Sequence, residues 1–306
     1  MRRKVVKQGP ATFMVSLPAK WVRENHVQRG QELEVRTDGP AIHIFPGELE
    51  PEKKRQEFSF EAKQEKYIYA VLRKAYRLGC DEVVVRFSTD KAINFLERAT
   101  ARLVGADIID LENKRCKIII TNPETCYDLD AEMAKIMYRI IEQVETIKSD
   151  LSKNKFARFD KVNDLDFFNL TKINYLIRTA YIQRASYEKF SVIHELLTHL
   201  HGMSRQIAWF YKIGLLELKS VNGKIQITQF INELLNLLRS AVKKIQSKKT
   251  LELPEDFEFR DRITNFQTEL LSAIDKKKIT GALLVFVYYI SNKLDNLVEY
   301  LDIYKS

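Results

Sequence analysis

The sequence is poor in cysteine, glycine and proline. Its 306 residues include three cysteines (Cys80, Cys116 and Cys126) with no CxxC spacing, and any disulfide would leave one thiol unpaired. This pattern argues against a zinc ribbon and a disulfide framework and favours a reducing compartment, which we expect to be the cytoplasm. Ten glycines and seven prolines are also too few for a low-complexity or collagen-like chain.

Long apolar runs are missing as well. The longest, at about Ala282–Ile290, is far shorter than the roughly 20 apolar residues that a membrane helix needs. The first residues, Met1-Arg2-Arg3-Lys4, are charged and have no apolar run behind them, so we expect neither a signal peptide nor membrane insertion.

Recognisable catalytic motifs are absent too. The chain has no glycine-rich phosphate loop and no Ser–His–Asp spacing. His194 and His199 are five residues apart instead of the four of HExxH, which places them about 140° apart around a helix. His194 and His201 share a helix face, but about 10 Å of axial rise separates them. We therefore expect no enzymatic activity, no catalytic residues and no cofactor, and a metal-dependent enzyme is the least favoured alternative.

What the chain does have is positive charge at one end. It carries 50 basic and 41 acidic residues, a net charge of +9. The first 23 residues contain six basic residues and no acidic one: Arg2, Arg3, Lys4, Lys7, Lys20 and Arg23. A basic arm on a nearly neutral body is typical of proteins that bind a polyanion such as DNA, although lysine-rich ends also occur simply as solvated surface.

Hydrophobic periodicity divides the chain into three parts. Residues 1–47 read as strand, strand, short helix, strand and strand, with a hairpin at Asp38-Gly39. About ten apolar side chains are too few for a core, so a partner surface must complete this part. Residues 48–56 are charged, contain Pro51 and read as a linker. Residues 57–122 alternate between strands and helices, with a helix ending at Gly79. From Asp128 the pattern is helical to the end, with a second helix from Phe167 and a fifth over 259–274, and Asn222-Gly223 divides it into 127–221 and 224–306.

The N-terminal part resembles a known DNA-binding domain. Arg3-Lys4, Gly9, Thr12, Val15-Ser16-Leu17-Pro18 and Trp21, followed by Gly30-Gln31-Glu32-Leu33-Glu34-Val35, are similar to the SpoVT/AbrB swapped-hairpin domain in its archaeal form. The resemblance implies that two chains exchange hairpins to form one β-barrel, which makes the protein a homodimer. It also implies that the six basic residues named above bind DNA.

The rest of the chain resembles the archaeal phosphate-uptake regulators, in which an AbrB-like domain precedes a PhoU-like helical domain. Tyr76-Arg77-Leu78-Gly79-Cys80-Asp81-Glu82-Val83 looks like the end of that family's middle-domain helix and the next strand. The family's acidic metal motif is depleted here. Ser204 and Ala208 replace two carboxylates, Ser291 replaces a third, and Asp295 alone is retained, so we expect no metal cluster.

Together these features predict a multidomain α+β protein. We expect a swapped-hairpin β-barrel, a small α/β middle domain and a C-terminal PhoU-like pair of three-helix bundles. The expected function is DNA-binding transcriptional regulation, which the resemblance links to phosphate uptake or homeostasis. The helical part would sense a signal or bind a partner, such as a phosphate transporter or its regulatory proteins. The alternative is a PhoU-type adaptor that controls a transporter without specific DNA binding.

Overall fold

The computed structural model describes residues 3–10, 12–38, 41–46, 53–121, 128–183, 187–218, 224–247 and 281–305, with isolated positions between 261 and 268. The chain divides into two compact units, Met1–Lys53 and Lys54–Ser306. The predicted mixed α+β architecture is confirmed.

The first unit consists of two hairpins and a short helix. Strands β1 (Val5–Gln8) and β2 (Thr12–Val15) pair antiparallel, as do β3 (Glu34–Asp38) and β4 (Ala41–Phe45). Helix α1 (Ala19–Glu24) lies between the hairpins in sequence and follows Pro18, whose fixed φ suits a helix start. The described residues of one chain form no closed barrel, and the predicted two-chain barrel stays a prediction.

The second unit begins with a four-stranded sheet in the order β5-β6-β8-β7. The strands are β5 (Arg55–Phe60), β6 (Glu82–Phe87), β7 (Ala106–Glu112) and β8 (Arg115–Ile120). β5 and β6 are parallel, and the other pairs are antiparallel. The sequence pattern predicted a linker over 48–56, but Arg55 and Gln56 belong to β5, because parallel pairing to Glu82 and Val83 extends that strand.

Two helices cover one face of this sheet. Helix α2 (Ile68–Arg77) follows a 3-10 turn at Glu65–Tyr67, and α3 (Lys91–Thr100) follows β6. Their apolar faces bury alternate side chains of β6 and β8, among them Val83, Val85 and Ile118. Cys80 and Cys116 are buried thiols here, and burial raises the pKa of the Cys116 thiol to about 11. Cys126 lies outside the described residues.

Helix α2 ends where the sequence predicts, at Gly79. The amide of Cys80 donates to the carbonyl of Ala75 and the amide of Gly79 donates to that of Tyr76, which together form a Schellman motif. This motif needs a left-handed residue, and Gly79 has φ +75°. A Cβ at that position would also lie 3.2 Å from side-chain atoms of Tyr181 and Ile182, so the glycine lets another helix approach.

The rest of the second unit is helical. Its helices are α4 (Leu129–Lys153), α5 (Phe159–Ile182), α6 (Tyr187–Leu218), α7 (Lys224–Gln246) and α8 (Gly281–Lys305). Side chains from all five share one hydrophobic core. α5 begins eight residues before its predicted start at Phe167, because Phe159 and Val162 pack on this core although polar residues surround them.

Two sequence predictions for this part fall on residues outside the described ranges. These are the division at Asn222-Gly223 and most of the predicted fifth helix, over 259–274. The division into two three-helix halves therefore stays a prediction.

Candidate nucleic-acid interface

The predicted DNA-binding residues occupy two places in the first unit. Arg3 and Lys4 precede β1, Lys7 lies within it, and Lys20 and Arg23 lie on α1. All five are exposed, whereas Arg2 lies outside the described residues.

Little of this charge is neutralised by the described residues of the unit. Lys20 forms an ion pair with Glu24 one helical turn away, with Nζ 3.7 Å from the carboxylate. Both side chains are largely exposed, and such surface pairs contribute little, about 0–1 kcal/mol. The positive charge is therefore available to a polyanion.

The first hairpin exposes apolar side chains on both of its faces. Val5 pairs with Val15 and Lys7 with Phe13, so Val5, Phe13 and Val15 share one face, while Val6 and Met14 share the other. Phe13 is 68% exposed and Val5 is 65% exposed. A surface laid against one face would leave the other in water, so covering both faces needs contacts on both sides of the hairpin.

The second hairpin also exposes apolar side chains. Val35 pairs with Ile44 and Thr37 with Ile42, and Val35 and Ile42 are both exposed. Within 3–10, 12–35, 42 and 44–46, where side-chain burial is described, no residue of the first unit is buried. The described residues of this unit therefore form no core of their own.

A second cluster of charged contacts joins the sheet part of the second unit to its helices. Arg178 of α5 is 1% exposed, and its guanidinium donates to the carbonyls of Tyr76 and Cys80, each at 2.8 Å. It also forms an ion pair with Asp81 at 3.3 Å and lies 4.9 Å from the ring centre of Tyr76. We call this contact the Arg178 latch.

Neighbouring side chains extend the same contact. Nζ of Lys54 donates to the carbonyl of Leu78 at 2.8 Å and to the Tyr181 hydroxyl at 3.3 Å. The Arg178 latch is not among the sites that the sequence pattern predicts. The available signal was a single cation within the apolar run Tyr175–Ile182, a place where an arginine needs buried acceptors.

The positions that correspond to the acidic metal motif hold neutral groups. Ser204 is buried, and its hydroxyl donates to Oε1 of Gln143 and accepts from Nδ2 of Asn169, both at 3.1 Å. Ala208 and Ser291 are also buried, and Asp295 is half-buried on α8. No group of three or more His, Cys, Asp or Glu side chains among the described residues is arranged to hold a metal ion.

The histidines of the HExxH-like stretch have separate surroundings. His199 is buried 3.8 Å from Glu195, and burial together with Lys293 lowers its pKa. His194 is partly exposed and packs near the Phe190 ring. The charged groups that act on His201 are Asp166 and arginines on α2 and α6.

Comparisons with known proteins identify no relative: no family model, no curated protein and no solved structure matches this chain. Within the described residues, every helix is too short or too polar to cross a lipid bilayer.

Proposed function

We propose that this protein is a homodimeric, cytoplasmic DNA-binding regulator of transcription. The observation that carries the proposal is a set of exposed basic side chains on a unit whose described residues form no core. The described basic side chains between Arg3 and Arg23 all face solvent, and the hairpin that bears Lys7 is apolar on both faces. A second copy of the same unit would bury those faces and double the basic surface.

The finer parts of the proposal come from the resemblance described above. In this proposal the first unit forms the SpoVT/AbrB-like swapped-hairpin barrel, and α4–α8 form a PhoU-like module that senses a signal or binds a partner. The regulated process is phosphate uptake or homeostasis. DNA would be held chiefly through phosphate contacts, because lysine and arginine side chains supply the positive charge.

A salt titration of DNA binding tests the proposal. Each phosphate contact contributes about 0.9 to the slope of log K against log salt. If six of the twelve predicted basic groups in a dimer engage, the slope is about −5. The double variant R3A/K4A removes four charges per dimer, so it should bind every duplex more weakly and flatten the slope by up to about 4.

The matched control is the double variant K91A/R98A. It removes the same charge from exposed positions on α3 of the second unit and should keep the wild-type slope and affinity. If R3A/K4A binds like the wild type, these residues are not the DNA interface. If the wild-type chain does not shift duplex DNA at low salt, the adaptor function replaces the proposed one.

A further inference from the structure

Four arginines from two helices and one turn surround one partly buried region of the second unit. Arg73 and Arg77 lie on α2, Arg102 follows α3, and Arg205 lies on α6. We call them the arginine cluster. Three of the four are half-buried, whereas the Arg205 side chain is 66% exposed and marks the side that is open to solvent.

Direct contacts bring the cluster together around α5. Arg77 donates from Nε to Oδ1 of Asn174 at 2.9 Å, and Arg205 donates to Oδ2 of Asp166 at 3.0 Å. The guanidinium groups of Arg73 and Arg102 both lie over the Tyr69 ring, 5.4 and 5.1 Å from its centre.

The charge of the cluster is poorly balanced. Asp166 is the one carboxylate that forms an ion pair with it among the described contacts, and against four arginines this leaves a charge of about +3. Burial, followed by repulsion from Arg73, lowers the pKa of Arg77 to about 10. Burial also lowers the pKa of His201 to about 4 against the opposing effect of Asp166, and three of these arginines lower it further, so the imidazole is neutral at pH 7.

Several buried polar atoms here have no hydrogen-bond partner among the described residues. Nδ2 of Asn174 is one, and its residue is 0% exposed; Oδ1 of the same amide already accepts from Arg77, which fixes the orientation of the free NH₂ group. Nε of Arg102, the Tyr69 hydroxyl and Nε2 of His201 are unpaired as well. A buried donor without an acceptor is destabilising, and a bound acceptor would remove that penalty. Oδ1 of Asp166 is also unpaired, and its negative charge repels an anion at the Arg205 side of the cluster.

The arginines are spread along α5. Arg77 donates to Asn174 and Arg205 donates to Asp166, and these two α5 residues are eight positions apart, about 12 Å of helix rise. One orthophosphate ion cannot reach both ends. Arginine forks suit phosphate oxygens, so a row of them suits several linked phosphates.

From this arrangement we infer that the arginine cluster binds a short oligophosphate, either inorganic or the phosphate tail of a nucleotide. The ligand accepts hydrogen bonds from the unpaired donors and balances the excess positive charge. This inference does not rest on the proposed DNA binding, because every residue of the site belongs to the second unit.

Titration calorimetry on the full chain at constant ionic strength tests the inference. Tripolyphosphate should bind once per chain and at least tenfold more tightly than orthophosphate. Absence of saturable tripolyphosphate binding, or equal affinity for orthophosphate, would overturn it without any variant. ATP completes the series: an affinity above that of tripolyphosphate identifies a nucleotide as the ligand, and an equal or lower one identifies the phosphate chain.

Variants then locate the site. R73Q and R102Q should each weaken tripolyphosphate binding at least tenfold, while their circular dichroism and thermal midpoints in chloride buffer report on folding. R98Q, an exposed arginine on α3, and R3A/K4A, in the first unit, are the matched controls and should keep wild-type affinity. Wild-type affinity in both cluster variants, or a loss confined to R3A/K4A, would place the anion elsewhere and overturn the assignment.

Discussion

Single side chains explain how the sheet and the helices of the second unit are held together. The Arg178 latch supplies a cation to the C-terminal end of α2, where carbonyl groups carry partial negative charge. No other residue type offers several donors in a planar fork that reaches two carbonyls and a carboxylate together.

Replacement of Arg178 by methionine should destabilise the second unit by about 3 kcal/mol or more. The variant removes a buried charge that donates to Tyr76 and Cys80 and leaves Asp81 without its ion pair. Urea unfolding followed by circular dichroism measures the change. R178K keeps the charge but lacks the fork, so it should recover only part of the loss. R98M, at an exposed position, is the control; a loss below about 1 kcal/mol in R178M would contradict the role of the latch.

A second buried carboxylate makes stability depend on pH. Burial opposes ionisation of Asp150, but hydrogen bonds from Arg158 and Tyr211 outweigh it and hold the pKa of Asp150 below its ordinary value. Because the folded pKa is depressed, the ionised carboxylate contributes stability above about pH 4, and this contribution is lost as the pH falls through the folded value.

The difference in unfolding free energy between wild type and D150N should therefore be largest near pH 7 and shrink below about pH 4. Urea unfolding of both proteins at pH 7, 5 and 3.5 measures this difference. D164N alters an exposed carboxylate on α5 and should show little pH-dependent difference from wild type. A D150N difference that stays constant from pH 7 to pH 3.5 would exclude the proposed coupling.

Among the elements, the first hairpin carries the sharpest prediction. If a second copy covers Phe13, the variant F13D should weaken dimerisation, because burial of a phenylalanine side chain contributes about 1.5–3 kcal/mol and each dimer buries two. The expected loss is roughly 10²–10⁴-fold in the dimer dissociation constant, measured by sedimentation. Y138D alters an exposed aromatic residue of α4 and should leave the dimer intact. If Phe13 stays in water, F13D will sediment like the wild type.

Elements with local signals could be predicted from the sequence. Asp128 caps α4 by accepting hydrogen bonds from the amides of Asp130 and Ala131. The Schellman glycine ends α2, and Asn113 and Lys114, both with positive φ, form the turn between β7 and β8. These features depend on neighbouring residues. The parallel pairing of β5 with β6 joins strands that are separated in sequence by α2. The sequence pattern therefore predicted strand β5 but neither its partner nor the residue at which it begins.

The candidate sites divide in the same way. The basic residues of the first unit could be predicted because charge and exposure go together in a short segment without acids. The arginine cluster could not, because its members lie on α2, after α3 and on α6 and meet only when these elements pack against α5. In the sequence each of these arginines looks like an ordinary solvated helix residue.

For the whole molecule, the neutral groups at the metal-motif positions have a measurable consequence. Ser204 already exchanges hydrogen bonds with Gln143 and Asn169, and neutral hydroxyl and amide groups are weak ligands for iron or zinc. We expect the protein purified without chelators to contain less than one transition-metal ion per chain by elemental analysis. A sample with added metal, dialysed in parallel, is the control. One or more ions per chain retained in both samples would contradict this expectation.

Because the described residues of the first unit form no core, the state of this protein also depends on its abundance. If the unit folds only when two chains meet, the concentration of the assembled dimer follows mass action and, at low occupancy, rises with the square of the chain concentration. A cell that halves the copy number then loses about three quarters of the assembled species. The copy number of the chain would then control how much dimer is present. Chains whose N-terminal 53 residues have not dimerised would still contain a folded second unit.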